Sequence, residues 1–192
     1  MSSASSFASS WANPRIVFRL MMVVLLGALT AGCFQPLYGD RGVAAGPGVR
    51  DKLAGVEVPP LALPTGSPYQ RVSIQMRNDL MFKLYGDAAG APPTHRLILR
   101  MTSSRSSLIV DPTTQLPTSE NYGLDVNYGL IEIASGKQVL TGNTFARITY
   151  DIPGSLQRYA RARAYRDAED RGANEVAENI NTRLASFFFA GT

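Results

Sequence analysis

Two runs of strict alternation set narrow limits on the folds open to this chain. In residues 94–110, "THRLILRMTSSRSSLIV", Leu97, Leu99 and Met101 fall on one side and Arg96, Ile98 and Arg100 on the other. In the second run Tyr122, Leu124, Val126, Tyr128 and Leu130 alternate with Gly123, Asp125, Asn127 and Gly129. A period of two belongs to a β-strand, whose successive side chains point to opposite faces. The turn residues Ala134, Ser135, Gly136 and Lys137 and the run Val139 to Tyr150 then predict a returning strand. Between the first two strands "DPTTQLPTSEN" (111–121) is polar and carries two prolines. It reads as a loop, long enough to be a candidate functional one.

Two stretches follow the helical period instead. Ser67 and Pro68 supply a capping hydroxyl and a proline for a first helical position. Tyr69, Val72, Met76, Leu80 and Leu84 recur at three and four until Gly86, which predicts a helix over 68–85. After Ile152, Pro153 and Gly154, a long polar helix is expected over about 156–187, with a core line at Ala173, Val176, Ile180, Leu184 and Phe187. "GVEVPPL" (55–61) reads as a short edge strand closed by prolines. The predicted order is β-α-β-β-β-α. The class is α+β: an antiparallel (mixed) four-stranded sheet with two helices on one face.

The one cysteine, Cys33, lies outside these elements. It can form no intramolecular disulfide, and with His95 as the one histidine it has no zinc-binding cluster around it. Ahead of it stand Arg15 and Arg19, an apolar run from Leu20 to Leu29, and the small residues Thr30, Ala31 and Gly32. Ten residues of helix reach only ~15 Å, half of a ~30 Å hydrocarbon core, so the run is too short to span a membrane. It reads as a signal peptide. Small residues directly before a cysteine resemble the lipobox of bacterial lipoproteins, with Thr30 where that motif usually has Leu. The resemblance implies cleavage before Cys33, a diacylglycerol thioether on its sulfur and an acyl chain on its new amino group. Three chains make a durable anchor. Phe34 follows, not the Asp associated with inner-membrane retention, which points to the periplasmic face of the outer membrane. The expected organisation is a leader at 1–32, a lipidated and glycine-rich tether at 33–54, and one domain at 55–192.

Charge excludes one partner class. Of 19 Lys and Arg, Arg15 and Arg19 fall in the leader, and the others nearly balance 15 Asp and Glu. A near-neutral domain carries no nucleic-acid signal despite the high overall pI. No enzyme signature stands out. His95 reads as a surface or edge histidine. Asp167, Glu169 and Asp170 cluster, but Arg163–Asp167, Arg166–Asp170 and Asp167–Arg171 are four apart and are expected to neutralise one another on a solvated face. The glycines of residues 42–48 follow no strand and open no helix, so they are no phosphate loop. No cofactor is expected beyond the covalent lipid on Cys33.

The segment "CFQPLYG" (33–39) is similar to the Cys-Gly-Phe-x-Pro-Leu-Tyr-Gly opening of the lipopolysaccharide-assembly lipoprotein (LptE) family as seen in alphaproteobacteria, without the Gly after the Cys. "MRNDLMFKLYG" (76–86) resembles that family's Leu-Arg-Asn-x-Leu segment, and residues 155–188 resemble its terminal helix. The resemblance covers nearly all of the chain after Cys33. It implies a non-enzymatic subunit of the outer-membrane LPS translocon, which plugs an LptD-like β-barrel, assists its assembly and contacts lipopolysaccharide. Polar, glycine-alternating strands suit a polar lumen. Arg96, Arg100, Arg105 and Arg147 lie on predicted strands where guanidinium forks could meet lipid A or inner-core phosphates. The alternative for each is a solvated sheet face paired with Asp or Glu. For the whole protein, the alternative is an auxiliary lipoprotein of a lipid-trafficking ABC system.

Overall fold

The alternating runs pair as their apolar sides require. The computed structural model describes residues 48–86, 90–113, 117–152 and 157–190, together with Arg15, Phe18, Arg19, Met21 and Met22, which are helical. The chain divides into two compact units, Met1–Gly39 and Asp40–Thr192. Cys33 and residues 34–39 lie outside the described residues. The second unit runs α1 (Val49–Ala54), β1 (Val56–Glu57), α2 (Gln70–Tyr85), β2 (His95–Val110), β3 (Pro117–Glu132), β4 (Gln138–Asp151) and α3 (Arg158–Ala190). The strands form one sheet in the order β1-β2-β3-β4, with β1 parallel to β2 and the other pairs antiparallel. The class is α+β with a mixed four-stranded sheet, as the alternation predicts.

Register puts the apolar sides together. Leu97 stands opposite Leu130, and Leu130 opposite Leu140; Met101 faces Val126; Leu124 faces Ala146; Tyr122 faces Ile148. All of these but Leu140 are buried, on the face that the long helices cover. From α2 come Val72, Met76, Leu80 and Leu84, and from α3 Ala173, Val176, Ile180 and Leu184. Each full burial of a large aliphatic chain contributes about 1.5–3 kcal/mol. Gly172 lets α3 approach closely, since a Cβ there would stand 3.3 Å from the ring of Tyr122. Gly86 ends α2 at φ 65°, a conformation glycine adopts without strain.

Five details differ from the sequence reading. The stripe of α3 ends on Phe188, buried against His95, and not on Phe187, which is half-buried. Residue 188 is four from Leu184 and also continues the second buried line through Ala177, Asn181 and Ala185. Residues 49–54, assigned to the tether, form α1, whose Leu53 is buried and whose Lys52 Nζ donates to the Phe188 carbonyl at 3.5 Å. Strand β1 is two residues long, Val56–Glu57, and Pro59 and Pro60 beyond it have no N–H for a ladder. Helix α2 begins two residues late: the Tyr69 and Gln70 N–H groups donate to Ser67 Oγ and Ser67 O, at 3.3 and 3.1 Å, as a turn leading in. Finally, β3 begins at Pro117, so half of the expected 111–121 loop is strand. Its polar residues have ladder partners: the Ser119 hydroxyl donates to Asp151 at 3.1 Å, and the Thr118 carbonyl accepts from the Ile152 N–H at 2.8 Å.

Buried charge is paired, as it must be in a low dielectric. Glu169 of α3 is held by Arg71 of α2, whose other arm reaches Asp170 at 2.8 Å. Glu120 of β3 accepts from the Tyr150 hydroxyl and from Arg161 at 3.0 Å. Of the three expected pairs along α3, Asp167–Arg171 forms, at 2.8 Å. Asp170 goes to Arg71, and Arg163 and Arg166 form no ion pair among the described residues.

Ile180→Asp is expected to destabilise the domain by about 4 kcal/mol or more, because an unpaired carboxylate replaces a fully buried aliphatic chain. Asp170→Ser, at the half-exposed end of the Arg71 fork, is expected to cost less than ~1 kcal/mol. Urea unfolding of both variants checks the assignment, and equal losses would contradict it.

Candidate functional surface

Because the helices cover one face, alternation delivers the other to solvent. That bare face carries Arg96, Ile98 and Arg100 of β2, Asp125 and Asn127 of β3, and Thr141, Phe145 and Arg147 of β4. Two of its large apolar side chains stand well out, Phe145 at 62% and Ile98 at 42% exposure. Three of the four candidate arginines therefore share a face. Arg105 does not. It lies on the helix-covered side, its guanidinium 5.3 Å from the centre of the Tyr165 ring and 3.9 Å from Glu120. Its odd position, shared with Leu97, Leu99 and Met101, was the signal in the sequence that sets it apart.

The three arginines of the bare face differ in what holds them. Arg96 Nε donates to Glu57 at 2.9 Å, across the parallel β1–β2 pair. Arg147 donates to Asp125 at 2.7 Å, to the Ala146 carbonyl at 2.9 Å and to the Leu124 carbonyl at 3.4 Å, and lies 5.1 Å from the Phe145 ring centre. Gly123 makes room for this fold-back: a Cβ there would stand 3.4 Å from the Arg147 guanidinium and 2.6 Å from Ser104 Oγ. Arg100 forms no ion pair among the described residues. It borders a shallow groove of about 300 Å³, also lined by Ile98, Asn127, Gly129, Ile131, Gln138 and Thr141. Arg96 and Arg100 are four residues apart on one strand, ~13 Å, so one phosphate cannot bridge them. The face can offer separate cation contacts around an apolar and amide floor, with Arg100 the least engaged.

His95 is the first residue of β2. Its ring meets Phe188 edge-on at 5.2 Å, and Thr94 Oγ1 lies 2.8 Å from its Nδ1. Partial burial holds its pKa below the ordinary 6.5, opposed in part by Glu132. No group of three His, Cys, Asp or Glu residues among the described residues could hold a metal ion. No helix among them is long and apolar enough to cross a membrane.

Compared by sequence, the chain matches no family model and no curated protein. Its fold is shared with the crystal structure of a candidate lipoprotein from Caulobacter crescentus CB15: TM-score 0.57, 23% identity, 75% of this chain and 97% of that one. Weaker likenesses are to rare lipoprotein B from Shewanella oneidensis (TM-score 0.49, 17% identity, 71% and 96% of the chains) and a minor lipoprotein from Acinetobacter baumannii (0.46, 12%, 68% and 88%).

His95 generates a pH prediction. Its folded pKa is lowered, so the unfolded chain binds the proton more readily, and stability is expected to fall as pH drops below 6.5 through the folded value. His95→Gln is expected to flatten that part of the pH profile. Urea midpoints for both proteins on either side of the window check it.

Proposed function

We propose that this chain is a lipid-anchored, non-enzymatic subunit of the outer-membrane lipopolysaccharide translocon, seated in an LptD-like β-barrel and contacting LPS as it passes. The observation that carries the reading is Cys33 in its setting. Ala31 and Gly32 stand directly before it, and Phe34 to Gly39, with the Pro-Leu-Tyr-Gly run, directly after. The fold supports it, being that of a Caulobacter protein described as a lipoprotein. The bare face also supports it. Its charges are largely answered within the face, Arg96 by Glu57 and Arg147 by Asp125. Such a surface is compatible with a polar lumen and would be out of place against lipid tails. Acylation of Cys33 would hold the domain at the periplasmic face of the outer membrane.

Purification of the native complex from outer membranes in mild detergent tests the reading. A large β-barrel is expected to copurify. An ABC transporter in its place would favour the lipid-trafficking alternative, and no stable partner would count against both. Cys33→Ser is expected to abolish palmitate incorporation, and labelling that persists would overturn the assignment of that sulfur. For LPS contact, the pairing pattern ranks the four arginines. Arg100→Glu is expected to weaken LPS binding more than tenfold, over ~1.4 kcal/mol. Arg96→Glu, Arg105→Glu and Arg147→Glu should do less, their guanidiniums being already engaged. Circular dichroism must stay native in each.

A further inference from the structure

The first turns of α3, "RYARARAYR" (158–166), hold four arginines and no acid. Cations near the start of a helix oppose its macrodipole, so the arrangement is unfavourable for the helix alone. Arg161 is answered by Glu120 beneath it. The two carboxylates that could neutralise Arg163 and Arg166 from one turn ahead are drawn elsewhere, Asp167 to Arg171 and Asp170 to Arg71. Arg158, Arg163 and Arg166 are thus exposed and form no ion pair among the described residues. At 100° per residue, Arg158, Ala162, Arg166, Tyr159 and Arg163 fall in one sector about 140° wide, which Glu169 and Asp170 also enter from the following turn, both held by Arg71. The inward Arg161, Tyr165 and Ala168 take the other side. Within that sector Tyr159 is 74% exposed, and Ala162 leaves the guanidiniums room to spread.

We propose that this sector of α3 docks the domain on the headgroup layer of an anionic phospholipid membrane. Three exposed guanidiniums without an ion pair among the described residues, spread over ~12 Å of helix, complement a surface that offers many phosphates with no fixed pattern. An exposed tyrosine among them has the apolar body and polar tip that favour the membrane–water boundary. Tyrosine and arginine also anchor protein interfaces, but there at the centre of a well-packed apolar patch, and in this sector Tyr159 stands alone among cations and Ala162. The assembly role does not include this contact, and neither Cys33 nor the bare face takes part in it.

The test uses the mature chain from residue 33 carrying Cys33→Ser, so that neither the apolar leader nor an acyl group anchors it, in cosedimentation with phosphatidylcholine vesicles made with and without phosphatidylglycerol. Binding is expected to require phosphatidylglycerol and to weaken as salt is raised. Each of Arg158→Gln, Arg163→Gln and Arg166→Gln is expected to lower the affinity roughly fivefold, and the triple variant about a hundredfold. Lysine at the three positions should retain most of the binding, and Arg50→Gln should change nothing. The proposal is overturned if the triple variant binds phosphatidylglycerol vesicles as the parent does, or if phosphatidylcholine alone binds equally well. It is also overturned if the parent binds LPS aggregates and not the vesicles. If the triple variant loses its native circular dichroism, the three single variants decide by the same criteria.

Discussion

The apolar stripe of α3 against strands β3 and β4 is the contact from which this domain is built outward. A four-stranded sheet with one oily face cannot stand in water unless that face is covered, and α3 is the element long enough to cover it. Ala173, Val176, Ile180 and Leu184 lie fully buried over a face made by Tyr122, Leu124, Val126 and their ladder partners. Gly172 sets the approach by letting the helix backbone close on the Tyr122 ring. Helix α2 then packs alongside α3, and α1 tucks Leu53 under the same cover.

A purely apolar contact would leave α3 free to slide or turn, and two buried carboxylates oppose that. Glu169, on the helix, is met by Arg71 from α2; Glu120, on the sheet, is met by Arg161 from the helix and by the Tyr150 hydroxyl. Breaking either set strands a charge in a low dielectric, which is far more costly than a paired surface charge is stabilising. Tyr165 stands between the two sets, edge-on to Tyr122 and Tyr150 at 5.7 and 6.1 Å. The same pairing has an outward consequence. Arg71 takes up Asp170, and Arg158, Arg163 and Arg166 near the start of α3 are left without an ion pair among the described residues.

Covering one face leaves the domain two-sided in character as well as in shape. On the bare face the charges of β2 and β4 are mostly closed off within the sheet, around a shallow groove where Arg100 stays open. On the helix layer the first turns of α3 are strongly basic. The two surfaces therefore differ in what they offer a partner, and the two proposals made for this chain assign them to different environments.

Much of this architecture was legible in the residues. Period two in Leu97–Met101 and Tyr122–Leu130, and the three-four spacing of Val72, Met76, Leu80 and Leu84, follow from backbone geometry, so they predicted strands, helix and covered face without further help. The parity of Arg105 was equally readable and separates it from Arg96 and Arg100. What could not be read were the choices between local and distant partners. Polar residues 117–121 look like loop until a neighbouring strand supplies Asp151, Tyr150 and a ladder. Asp170 sits at pairing distance from Arg166 along the helix, yet Arg71, 99 residues away in sequence, takes it. Phe187 and Phe188 are both one turn from Leu184, and His95 with the end of the sheet selects the second. Local periodicity is a property of the chain, whereas the competition for a buried charge or a last core position is settled by groups that only the fold brings near.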